Sequence, residues 1–167
     1  MIDAIKTESP IEEDFLAALQ AISDGLVVFV PNASVEELKL RAMADEQKQR
    51  VFMSSQVPLW RYRADFVLAT YETAIYPRVV CIECDGEQFH ASVEQKQRDY
   101  ERDAFLRGKL IQTVRFTGRH LRRDAYACAY KALDMLDIHR RGPTTLAQAA
   151  IGVIRNDHWQ FNRRDAA

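Results

Sequence analysis

The spacing Ser-x-x-Glu/Gln recurs ahead of apolar-periodic stretches, at Ser9 and Glu12, at Ser34 and Glu37, and at Ser92 and Gln95. The serine hydroxyl accepts from the backbone N–H three residues on while the acid or amide reaches back, so each pair fixes a helix start. Pro10, whose φ is already helical, strengthens the first of them. Between these starts lie runs rich in aromatic and β-branched residues, and a chain alternating helix with strand has to layer helices on a sheet.

The first helix carries Ile11, Phe15, Leu19 and Ile22 on its core face and stops at Asp24-Gly25, after which Leu26 to Val30 reads as a short strand. Helices are predicted from about Val35 to Gln49 and from Val93 to Arg107. Between them Trp60 to Ala69 and Arg78 to Cys84 read as two adjacent strands, the second entered through Tyr76-Pro77. Leu110 to Phe116 gives another strand, followed by a helix from Arg119 to Leu136 with Leu121, Ala125, Cys128, Ala132 and Met135 inward. Gly142-Pro143 closes that unit, so the expectation is one domain over 1–142 and a C-terminal helix and polar tail over 143–167, the helix lying at Thr144 to Ile154. The order αβαββαβα predicts an α/β or α+β fold, a central mixed sheet flanked by helices.

A chain of 167 residues suits one core. No apolar stretch approaches the roughly 20 residues a bilayer requires, so no membrane partner is expected. The opening MIDAIKTESP lacks a basic region followed by an apolar core, so a cytoplasmic location with Cys81, Cys84 and Cys128 reduced is expected. Cys81 and Cys84 stand i and i+3 on a strand, on opposite faces, which suits two buried thiols better than a zinc pair.

Net charge is −1, but Lys96, Arg98, Arg102, Arg107, Lys109, Arg115, Arg119, Arg122 and Arg123 face only Asp99, Glu101 and Asp103 within 96–123. Such a segment suits either phosphate contact or solvated helix faces with local i, i+4 pairs. Trp60, Trp159 and Phe161 could stack on bases near Arg61, Arg63, Arg163 and Arg164, but large aromatics more often belong to the core.

Alternation along Trp60 to Leu68 puts Tyr62, Ala64, Phe66 and Leu68 on one face and Asp65, with Arg63, on the other. Along Val79 to Gly86 it puts Glu83 and Asp85 opposite Val80, Ile82 and Cys84. Carboxylates held close on strands raise one another's pKa unless a cation neutralises them. Their hard oxygens favour Mg²⁺ or Mn²⁺, held by Asp65, Glu83 and the Cys84 carbonyl, and such an ion polarises phosphate and activates water. The same residues also fit a frayed strand end, with Asp85-Gly86 opening a turn and Asp65 paired with an arginine.

Tyr62-Arg63-Ala64-Asp65-Phe66, then Ile82-Glu83-Cys84-Asp85-Gly86 and His90, then Asp99 with Arg102-Asp103, and Val114-Arg115-Phe116 together resemble the PD-(D/E)XK nuclease superfamily. The likeness spans about Ser9 to Leu133 and is to the very-short-patch-repair-endonuclease-like branch. It implies the restriction-endonuclease-like fold, a divalent metal on Asp65 and the next strand, and hydrolysis of DNA phosphodiesters. Asp85 stands where the family's usual lysine would be, and by the same resemblance His90 takes the general acid or base role. Glu12 matches an acidic position on the family's first helix, although its capping spacing gives it a purely local role as well. Asp99 follows the pattern as a catalytic candidate or as half of a helical pair with Arg102.

The expectation is therefore a Mg²⁺- or Mn²⁺-dependent endodeoxyribonuclease. Asp65, Glu83, Asp85, His90 and Glu12 form its catalytic group, with Arg61, Arg63, Arg98, Arg102, Arg115, Arg119, Arg122 and Arg123 on DNA. The rival is a non-catalytic module that keeps the fold and binds DNA or a protein. RNA as substrate, and the oligomeric state, stay open at this level.

Overall fold

The computed structural model describes residues 5–23, 25–46, 50–71, 75–86 and 93–136. In chain order the elements are α1 (Pro10–Ser23), β1 (Val27–Phe29), α2 (Val35–Ala44), β2 (Val51–Leu59), β3 (Tyr62–Thr70), β4 (Arg78–Asp85), α3 (Val93–Gly108), β5 (Ile111–Thr117) and α4 (Gly118–Asp134). The fold is α/β. A five-stranded mixed sheet in the order β1-β2-β3-β4-β5 is flanked by helices. The outer pairs β1–β2 and β4–β5 are parallel, and β2–β3 and β3–β4 are antiparallel.

Phe15 of α1 is fully buried and meets Phe66 of β3 and Phe116 of β5, with ring centroids 5.4 and 5.8 Å away. Helix α4 packs along α1 and closes this layer with Leu121, Cys128 and Ala132, whereas Ala125 and Met135 are only partly covered. A second cluster joins Leu38 of α2 and Leu106 of α3 to Val67, Ala69, Val79, Cys81 and Ile111 of the sheet. The central strands are thus covered on both faces, which is why β4 is buried at nearly every position.

The structure corrects the expected order, because β2 is a strand that the sequence pattern does not announce. Its run Val-Phe-Met-Ser-Ser-Gln-Val-Pro-Leu breaks alternation with polar residues, yet Ser54 is fully buried and its Oγ accepts from Ala33 N–H at 3.2 Å. Pro58 is tolerated because β1 pairs only with Val51–Met53, leaving that end of β2 with a single neighbour. Helix α2 ends at Ala44, short of Gln49, where Asp45 accepts from the backbone N–H and the guanidinium of Arg50. Helix α4 is broken at Asp124, which is extended at φ −162°, and the Asp124 Oδ1 caps the second half by accepting from Ala127 N–H at 2.9 Å. The helix expected at Thr144 to Ile154 and the polar tail lie outside the described residues. Among the described residues no helix is long and apolar enough to cross a membrane.

Candidate functional site

The β3–β4 ladder runs from Thr70↔Arg78 to Phe66↔Ile82 and stops one step short of Asp65 and Glu83. There the Asp65 side chain replaces the ladder, with Oδ2 accepting from Cys84 N–H at 2.6 Å. The β2–β3 ladder is interrupted at the same level: Ser55 pairs with Phe66 and Val57 with Ala64, leaving Gln56 against Asp65. Gln56 has φ 52°, a left-handed value that costs a non-glycine residue about 1–2 kcal/mol. The break resets the alternation. Ala64 joins Val67 and Ala69 in the cluster under α2 and α3, with Tyr62 packed against it, while Phe66 turns to Phe15. The single face expected for Tyr62, Ala64, Phe66 and Leu68 is therefore divided at Asp65.

Glu83 is 8% exposed. Its Oε2 lies 3.4 Å from Arg102 Nη1 of α3, and its Oε1 lies 3.5 Å from Cys81 Sγ. Burial pushes its pKa up to about 7, opposed by the Arg102 charge and reinforced by Asp65. Asp65 is raised by burial, held back by the Cys84 N–H, and raised further by Glu12 and Asp85. Asp85 is raised by burial against the opposing charges of Arg115 and Arg102. The carboxylates thus share one strained charge environment, with Glu83 and Asp85 in register with Arg115 and Thr117 of β5.

Glu12, expected both as a cap and as a site acid, is 4% exposed and has both kinds of neighbour. Its carboxylate accepts from Ser9 Oγ at 2.8 Å, from Glu8 N–H at 2.8 Å and from Gln56 Nε2 at 2.9 Å, and its charge reaches Asp65. His90 lies outside the described residues. The thiols of Cys81 and Cys84 are buried, unbridged and pushed up by burial, as two inert core cysteines should be.

The basic residues expected on DNA divide into two groups. Arg102 is held by Glu83 and, at 3.5 Å, by Asp99, and Arg115 makes a bidentate pair with Asp103 at 2.7 and 3.0 Å. Both guanidinium groups, expected on DNA, bind carboxylates of α3 and β4. Arg63 pairs with Glu8, and Arg61 donates to Tyr62 Oη at 2.9 Å. Arg98, Arg119, Arg122 and Arg123 have exposed side chains. Arg119 stands two residues after Thr117, the register partner of Asp85, and Arg98 lies on α3. Trp60 is half-exposed, edge-on to Phe105 at 5.3 Å with the Lys109 ammonium 5.4 Å from its ring, while Trp159, Phe161, Arg163 and Arg164 lie outside the described residues.

Among the described residues, no group of three or more His, Cys, Asp or Glu side chains is placed to hold a metal ion. The donor chemistry nevertheless fits a hard divalent cation, because Asp65, Glu83 and Asp85 offer oxygens whose ionisation burial opposes. Sequence reasoning missed Gln56, which carries no motif and sits in the strand that was not expected. No protein-family model, curated protein or solved structure matches this chain.

Proposed function

We propose that the chain is a Mg²⁺- or Mn²⁺-dependent endonuclease of the PD-(D/E)XK kind, hydrolysing DNA phosphodiester bonds on a restriction-endonuclease-like sheet. The observation that carries this reading is Asp65, anchored on Cys84 N–H where two ladders break, beside a Glu83 whose pKa burial lifts to about 7. A buried carboxylate with that pKa is costly for stability and suits a site that receives a cation.

Asp65, Glu83 and the Cys84 carbonyl are the residues that would hold the ion. When bound, it would polarise a phosphate oxygen and acidify a water molecule. Asp85 occupies the position of the family lysine and His90 takes the proton-transfer role. Arg102, already facing Glu83 and Asp99, would balance charge at the scissile phosphate once Glu83 turns to the metal. Arg98 and Arg119 supply backbone phosphate contacts from α3 and α4.

The test is cleavage of supercoiled, nicked, mismatched and single-stranded DNA with Mg²⁺ or Mn²⁺, wild type against Asp65→Ala. Wild-type cleavage that the variant lacks supports the reading. No cleavage of any of these DNAs, with no metal binding by calorimetry, overturns it.

A second reading rests on the Arg102–Glu83 pair, which neutralises the central acid without a metal. On that reading the chain is a non-catalytic module, and its DNA or protein binding is unchanged by EDTA.

A further inference from the structure

Gln56 is a polar residue in the middle of a strand, with a backbone conformation that glutamine does not favour, φ 52°. That conformation sends its amide to α1, where Nε2 donates to Glu12 Oε2 at 2.9 Å across 44 residues of sequence. A carboxylate only accepts, so the NH₂ group must be the part that faces Glu12, and the carbonyl oxygen is turned the other way. That oxygen, Oε1, is buried and has no hydrogen-bond partner in the protein. An orphaned acceptor on a strained residue marks a place where a donor is expected.

The surroundings narrow the donor. Gln56 stands in register against Asp65, where both ladders of β3 are interrupted, and Glu12 lies close enough to raise Asp65. Asp65 and Glu12 are themselves acceptors and Oε1 is closed to bulk solvent, so the missing donor is a water enclosed beside it. A water giving one hydrogen to Oε1 and the other to a site carboxylate has its lone pairs directed away from both.

We propose that Gln56 is a positioning residue of the hydrolytic site, its amide locked on Glu12 and its Oε1 orienting the water that attacks phosphorus. The inference rests on the nuclease reading above. It assigns Gln56 no proton transfer, since an amide oxygen orients a water without deprotonating it.

The test is the single-turnover cleavage rate, KM for DNA and thermal midpoint of Gln56→Gly and Gln56→Asn in the full chain with Mn²⁺. Glycine relaxes the left-handed backbone, so its midpoint should equal or exceed that of wild type, while kcat falls about a hundredfold at unchanged KM. Asparagine tolerates the same φ but is one methylene shorter, and it should lose a similar factor. Combining Gln56→Gly with Glu12→Ala should cost no more kcat than the worse single change, because the two side chains act as a unit. Wild-type kcat in Gln56→Gly overturns the proposal and leaves the nuclease reading standing. A lower thermal midpoint accompanying the lost rate makes Gln56 structural and also overturns it. A wild type that cleaves no DNA overturns this proposal, and with no metal binding by calorimetry it overturns the nuclease reading as well.

Discussion

Replacing Glu83 with glutamine should stabilise the metal-free protein at neutral and alkaline pH while removing its activity. The carboxyl pKa rises from 4.5 to about 7 on folding, chiefly through burial. At about 1.4 kcal/mol per pKa unit, that difference is worth roughly 3 kcal/mol. The folded state binds the proton more tightly than the unfolded one. The stabilisation from a protonated Glu83 is therefore complete below pH 4.5, is lost as pH rises towards 7, and is absent above it. A glutamine has the same shape and no charge to desolvate, so the variant should keep what the wild type loses. Near pH 4 the two proteins should be equally stable, and at pH 8 the variant should lead by about 3 kcal/mol, or about 6–12 °C in thermal midpoint for a chain of this length. Asp65 and Asp85 are shifted in the same direction and remain in both proteins, so the difference between the two curves reports Glu83 together with its repulsion from those two charges. The assay is urea and thermal denaturation from pH 4 to pH 8 in EDTA. Parallel curves, with no lead for the variant at pH 8, would refute the burial argument.

Other expectations follow from the same geometry. Saturating Mn²⁺, at about a hundred times its Kd, should stabilise the wild type by about 2.7 kcal/mol and leave Asp65→Ala unmoved, as read by thermal shift. Phe15→Ala removes the ring that joins Phe66 to Phe116 and should cost about 3–5 kcal/mol in urea denaturation. Asp124→Ala deletes the cap that restarts α4 and should cost about 0.5–2 kcal/mol, with loss of amide-exchange protection concentrated after Ala127.

Much of the architecture was legible because local chemistry and tertiary context agree. Ser34 Oγ accepts from Glu37 N–H at 3.1 Å, and Ser9 Oγ accepts from Glu12 N–H at 3.4 Å while the Glu12 carboxylate reaches back to the Ser9 hydroxyl and to Glu8 N–H, one residue before the backbone donor that the spacing predicts. Phe15 and Leu19 face the core as the helical period requires. Strand β2 was illegible for the opposite reason. Its buried Ser54 serves Ala33 and its Gln56 serves Glu12, so tertiary hydrogen bonds replace the apolar alternation a strand normally shows. The continuous helix expected to Leu136 failed at Asp124, whose carboxylate competes for the backbone in a way that a periodicity argument passes over. Asp65 and Glu83 stood out as candidates because carboxylates on apolar strands are uncommon. The carboxylate partners of Arg102 and Arg115 were not legible, because sequence cannot tell a guanidinium that faces solvent from one paired with a carboxylate of a neighbouring element.

The inward turn of those two arginines changes what the basic segment contributes. Arg115 is committed to Asp103 through both arms of the fork; burial, the largest single effect, lowers its pKa, but the bond to Asp103 and the charges of Asp103, Asp99 and Glu83 together hold it above its ordinary value. Arg102 is held more loosely: its contacts to Glu83 and Asp99 are long, at 3.4 and 3.5 Å, and its Nε, like that of Arg115, is buried with no hydrogen-bond partner. A guanidinium with unused donors beside a carboxylate of raised pKa is a weak clamp, and a weak clamp exchanges partners readily. On the nuclease reading, Glu83 would be one of the residues that hold a divalent ion, and Arg102 would then be free to face a phosphate. Arg102→Lys should then keep the fold and the metal affinity but slow cleavage, because an ammonium cannot hold Asp99 and a phosphate with one planar fork. Equal cleavage rates for that variant and the wild type would leave Arg102 a structural counter-ion alone.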